Sequence, residues 1–110
     1  MSNKIKLMLD SGAFSAWTRG EAVDLNEYVQ FIRDNSGLLD TYINLDVIPG
    51  QRGVRPTLAE VDRGAAASFD NYKAMRAAGL HPIPVFHFGE SFKWLERLVE
   101  SGADYICLGG

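Results

Sequence analysis

Four short apolar segments alternate with three amphipathic ones along the 110 residues of this chain. The alternation restricts the fold more than any other feature, because short apolar runs separated by stretches of helical period read as strands joined by helices. The strand candidates are Ile5 to Leu9, Thr41 to Leu45, Ile83 to Phe88 and Tyr105 to Leu108. The first helix opens at Asp24 with Glu27 three positions on, and the second at Thr57 with Glu60, the spacing of a capping box. Leu25, Tyr28, Val29 and Ile32 share one face of the first helix. Val61, Ala65, Phe69, Tyr72 and Met75 share one face of the second, which ends at Gly79. The third caps at Ser91, presents Phe92, Leu95, Leu98 and Val99, and ends at Gly102. Tight turns then lead each helix into the next strand, and strands joined through helices run parallel.

An open doubly wound sheet and a (β/α)8 barrel both begin this way. The strand ends favour the barrel. Asp10, Asp46, His87 with Gly89, and Gly109 with Gly110 stand where four successive strands finish. Barrels gather a site from many strand ends, whereas open sheets use one switch point. The expectation is an α/β fold, half of a TIM (β/α)8 barrel, with four parallel strands alternating with three helices in a single domain over residues 1–110. A complete barrel takes roughly 200 residues or more. The chain is therefore expected to be a fragment of a longer protein, or to be completed by a second copy as a homodimer, because open sheet edges expose unpaired N–H and C=O groups.

The net charge of −3, spread along the chain, supplies no basic stripe for a phosphate backbone. The single cysteine, Cys107, excludes an internal disulfide and lies in an apolar run, where a thiol behaves as a small hydrophobe. Lys4 and Lys6 interrupt any signal-peptide-like stretch, and no run approaches the ~18 apolar residues of a membrane span. The expected location is cytoplasmic, with no membrane partner.

Asp10, before the turn Ser11-Gly12-Ala13, and Asp46, closing Tyr42-Ile43-Asn44-Leu45-Asp46, are the leading site candidates. Either can be a plain turn former. Carboxylates at neighbouring strand ends converge, however, and convergence is costly unless a donor-rich ligand or a cation meets them. Asn44 reads as a supporting amide directed inward, and Gly12 as a place where backbone can approach a ligand. His87, between Phe86 and Phe88, is the group best placed to titrate near neutral pH, with a structural role about as frequent. Gly109 and Gly110 would let a flat ligand lie against the backbone, or would only form a turn. Trp17 and Trp94 read as core or rim packing, His81 as structural, and Arg19, Arg52 and Arg55 as solvated loop cations. The segment Asp46 to Pro56 is a long loop on the same face, a lid or a solvated excursion.

Leu9-Asp10-Ser11-Gly12-Ala13-Phe14-Ser15 resembles the Asp-Ser-Gly-Gly-Phe-Gln motif of the queuine/archaeosine tRNA-guanine transglycosylases. Asn44-Leu45-Asp46 is similar to that family's second-strand Asp segment, and Ile106 to Gly110 to the start of its Gly-Gly-Leu segment. The style is closer to the phage and bacterial relatives that insert 7-deazaguanines into DNA. The resemblance implies a TIM-barrel enzyme that exchanges guanine for a 7-deazaguanine base. It further implies that Asp10 assists proton transfer or holds the base, with Ser11 and Gly12 beside it, that Asp46 accepts hydrogen bonds from the base's guanidine-like edge, and that Gly109 and Gly110 meet its carbonyl. A carboxylate facing an N–H/NH2 edge rejects bases lacking those donors. Ala13 replaces the second Gly of the motif and Ser15 its Gln, which alters the pocket. The family's nucleophilic Asp and zinc site lie downstream of the Gly-Gly segment. This chain is thus expected to hold no cofactor, zinc belonging to a C-terminal half, to meet tRNA or DNA only through a full-length protein, and to be inactive alone.

Two other readings remain open. One is a TIM-barrel lyase or hydrolase with a divalent metal among Asp10, Asp46 and His87, and the other a non-enzymatic half-barrel that self-associates.

Overall fold

Each helix begins at a residue whose side chain replaces a missing backbone partner. In the computed structural model, which describes residues 7–10, 24–47 and 54–109, α1 (Leu25–Asp34) is capped by Asp24, which accepts from the Asn26 N–H at 2.8 Å. The long α2 (Leu58–Ala77) carries the reciprocal capping box, with Thr57 N–H donating to Glu60 Oε1 at 3.0 Å and Glu60 N–H donating to Thr57 Oγ1 at 3.1 Å. The last helix, α3 (Phe92–Glu100), is capped by Ser91. After α2 the N–H groups of Gly79 and Leu80 donate back to the carbonyls of Arg76 and Met75, each at 3.0 Å, which closes the helix and aims the chain at the next strand.

The strands are shorter than the apolar runs: β1 (Leu7–Leu9), β2 (Leu39–Tyr42), β3 (Val85–His87) and β4 (Cys107–Gly109). They pair in parallel, as helical connections require, β1 with β2 and β3 with β4. Part of the first strand candidate, Ile5 and Lys6, lies outside the described residues, as do Ser11, Gly12, Trp17, Arg19, Arg52 and Gly110.

The half TIM barrel, with four strands in one sheet, is not what the chain forms. The described residues form two separate two-stranded parallel sheets, β1-β2 and β3-β4. Among the described residues one isolated bridge, Ile43 to Ile83, joins them. Two features of the sequence limit the ladders, the first within the β3-β4 sheet and the second at the seam. Pro84 has no N–H, so pairing with β4 starts only at Val85, with the Cys107 N–H donating to the Pro84 carbonyl at 3.0 Å. Beyond Tyr42 the second segment keeps strand partners only at Ile43 and Asn44, whose N–H groups donate to the Leu9 and Ile83 carbonyls, each at 2.8 Å, and helix side chains meet the rest. The Tyr28 hydroxyl donates to the Ile43 carbonyl at 2.6 Å and Asn71 Nδ2 to the Leu45 carbonyl at 2.9 Å. Asn44 Nδ2 donates to the Ser68 carbonyl and the Val47 N–H to Ser68 Oγ, both at 2.8 Å. Past Asn44 the chain is held by α2 side chains rather than extended along the third strand.

Two apolar clusters hold the layers together. Tyr28, Ile32, Leu45 and Met75 form one, under β1 and β2, and Ala65, Tyr72, Phe86, Trp94 and Leu98 form the other, under β3 and β4. Because Met75 belongs to the first and Ala65 and Tyr72 to the second, α2 spans the seam between the sheets. On α3 the buried stripe is Trp94 and Leu98, whereas Phe92 and Val99, expected inside, are exposed. Trp94 wins that face because its indole contacts Phe69 on α2, with centroids 6.1 Å apart, while its Nε1 donates to Asp62 at 2.8 Å. Cys107 is only partly buried. No helix among the described residues is long and apolar enough to cross a membrane.

Candidate functional site

Parallel pairing puts the ends of β1 and β2 on one side of the molecule, where the Ile43 N–H donates to the Leu9 carbonyl at 2.8 Å. Asp10 follows directly and is exposed. Asp46 lies three residues beyond Ile43, with its side chain only 9% exposed. Both carboxylates act on Tyr28: burial first, then Asp10, then Asp46 raise its hydroxyl well above the ordinary tyrosine value. A phenol held protonated in this way is a lasting donor to the Ile43 carbonyl.

Asp46 meets the third strand at its C-terminal end. His87 Nε2 lies 3.3 Å from Asp46 Oδ2, and His87 Nδ1 lies 3.5 Å from Glu90 Oε2. The imidazole therefore stands between two nearly buried carboxylates. The Asp46 carboxylate, followed by the charge of Glu90, raises His87 above its ordinary value against the opposing effect of burial. Asp46 Oδ1, by contrast, is buried with no hydrogen-bond partner among the described residues. A buried charged acceptor left unpaired is costly and marks where a donor belongs.

Glu90 is the member that sequence reading missed. Its signal lies in His87-Phe88-Gly89-Glu90, where Gly89 adopts a φ of 95° that other residues resist. The resulting turn carries Glu90 back to its own histidine: the His87 N–H donates to Glu90 Oε1 at 2.8 Å, and the Glu90 N–H donates to the His87 carbonyl at 3.2 Å.

The other candidates divide. Asn44 is buried, but its amide is directed to α2 rather than inward, and its Oδ1 is unpartnered among the described residues. That side chain lines a cavity of about 20 Å3 together with Ser68 and Glu90. Gly109 lies beside His87, where an added Cβ would stand 3.0 Å from His87 Cδ2 and 3.1 Å from Val85 Cγ1. Its carbonyl accepts from the Phe88 N–H at 2.9 Å. The role visible for Gly109 is thus to leave room for the imidazole. Ser11, Gly12 and Gly110 lie outside the described residues. His81 is exposed in the turn at the opposite strand ends, its N–H donating to the Tyr42 hydroxyl at 2.7 Å.

For a metal the geometry is poor. The carboxylates of Asp46 and Glu90 face opposite ring nitrogens, and no group of three His, Cys, Asp or Glu suited to an ion occurs among the described residues.

Comparison with protein-family models, curated proteins and solved structures finds no match to the chain.

Proposed function

We propose that the strand ends around Asp46 bind a planar, donor-rich base of the guanine or 7-deazaguanine type, as part of a transglycosylase that exchanges such bases in tRNA or DNA. One observation carries this reading: Asp46 is nine-tenths buried, is held through Oδ2 by His87, and has an unpartnered Oδ1. The N–H/NH2 edge of guanine supplies the donors this oxygen lacks, and hydrogen bonds to an ionised acceptor are the strong ones. Asp10, which acts electrostatically on the same Tyr28 hydroxyl, is the residue to which the resemblance assigns proton transfer or a grip on the base. The resemblance assigns the displacement at C1′ to an Asp outside this chain, so binding rather than exchange is what these residues are asked to perform. The reading carries with it a cytoplasmic location.

The test is calorimetric titration with 7-deazaguanine, with 7-deazahypoxanthine as the analogue lacking the 2-amino group. Asp46→Asn, which replaces the anionic acceptor by an amide, is expected to weaken 7-deazaguanine binding by about tenfold or more. Equal affinity for the two bases, or binding unaffected by the substitution, would remove the base-recognition role.

A further inference from the structure

His87 faces a different carboxylate with each ring nitrogen, Asp46 at Nε2 and Glu90 at Nδ1. A neutral imidazole carries one N–H and one lone pair, and only the doubly protonated ring offers a donor to both neighbours. The two carboxylate side chains are each 9% exposed and the imidazole 28%, so the anions have little water to compensate them. Glu90 does more than sit nearby. One of its oxygens accepts the backbone N–H of His87 and the other faces the ring, a two-point grip on a single residue. Gly109 contributes no side chain against the other edge of the ring, where a methyl group would stand 3.0 Å from Cδ2 and press on the imidazole.

We propose that Glu90 is a positioning residue for the base site: it holds His87 as an imidazolium, which anchors Asp46 through Oδ2 and leaves Oδ1 an anionic acceptor for the ligand. The identity of the ligand rests on the reading above, whereas the coupling of Glu90, His87 and Asp46 does not. The charged groups acting on the imidazole are Asp46, from the segment after β2, and Glu90, from the turn before α3, while Gly109 of β4 brings no charge. With the ring protonated the trio keeps a net negative charge, so the site selects neutral or cationic donor edges and rejects an anionic one. Removing the Glu90 charge takes away one of two anions favouring the ring proton. Asp46 then loses its counter-ion at a lower pH, and the grip on the ligand goes with it.

The experiment follows the His87 ring nitrogens of the full chain by NMR across roughly pH 5 to 9, alongside calorimetry with 7-deazaguanine. Wild type is expected to show a His87 midpoint above that of an ordinary histidine, with both ring nitrogens protonated below it. Glu90→Gln should move the His87 midpoint down by about half a pH unit or more and weaken 7-deazaguanine binding more at pH ~8 than at pH ~6. Glu90→Asp, which withdraws the same charge by one methylene, should lower the midpoint in the same direction by less, and it serves if the Gln variant does not fold. An unchanged His87 midpoint in these variants overturns the role of Glu90. Absence of 7-deazaguanine binding to the wild type sinks the base reading instead, and the ring titration still decides the positioning role.

Discussion

Among single residues, His87 ties together segments that the backbone joins only weakly. Its proton is held more tightly in the folded chain than in an ordinary histidine, chiefly by the Asp46 carboxylate. The sign of the linkage follows. A raised folded value stabilises the fold fully below the ordinary value of 6.5, and this contribution is lost as pH rises through the raised one. The stability advantage of wild type over His87→Gln, read from urea unfolding, should therefore be larger at about pH 5.5 than at about pH 9. A gap that widens toward alkaline pH would mean that the imidazole is held neutral. Asp46 and His87 were visible in the sequence because polar residues stand out where an apolar run ends. Glu90 was not, since a carboxylate in a Gly-containing turn looks like any solvated loop residue until the left-handed glycine folds it back onto its histidine.

For the elements, capping chemistry is local, and local chemistry is what a sequence displays. The start of α2 at Thr57 follows from Thr57 and Glu60 alone. Thr57→Ala should cost about 1 kcal/mol in chemical unfolding, and Thr57→Asn much less. A loss of similar size in both would deny the cap. Asp24 shows the limit of the same pattern, for it caps α1 through the Asn26 N–H, where the sequence suggests a box with Glu27. Strand extents were less legible. The run Thr41 to Leu45 has strand composition, yet the ladder occupies Leu39–Tyr42 and continues only as the single bridge at Ile43, while hydrogen bonds from Tyr28, Asn44 and Asn71 and to Ser68 tie the later residues to the helices. Those partners lie 15 to 26 positions away in sequence, beyond any periodicity within the strand itself.

In the molecule as a whole, the four strands of the described residues and their parallel direction were legible, and their division into two sheets was not, because it depends on where each ladder stops. One backbone bridge crosses the seam among the described residues, so side chains carry much of the connection. The helix α2 contributes Met75 to one cluster and Tyr72 to the other, and Asp46 with His87 adds an ionic tie. If α2 couples the halves, Met75→Ala should lower stability by about 2–5 kcal/mol and shift the unfolding of both clusters together. Trp94 fluorescence in a Trp17→Phe background reports the cluster that lacks Met75. A Trp94 transition unmoved by Met75→Ala would show two independent halves. The most direct measurement of the site itself is amide chemical-shift mapping on adding 7-deazaguanine. Shifts concentrated at Asp46, His87, Glu90 and Gly109 are expected, whereas shifts confined to the opposite strand ends, around Gly79, His81 and Gly102, would contradict a base site built on Asp46.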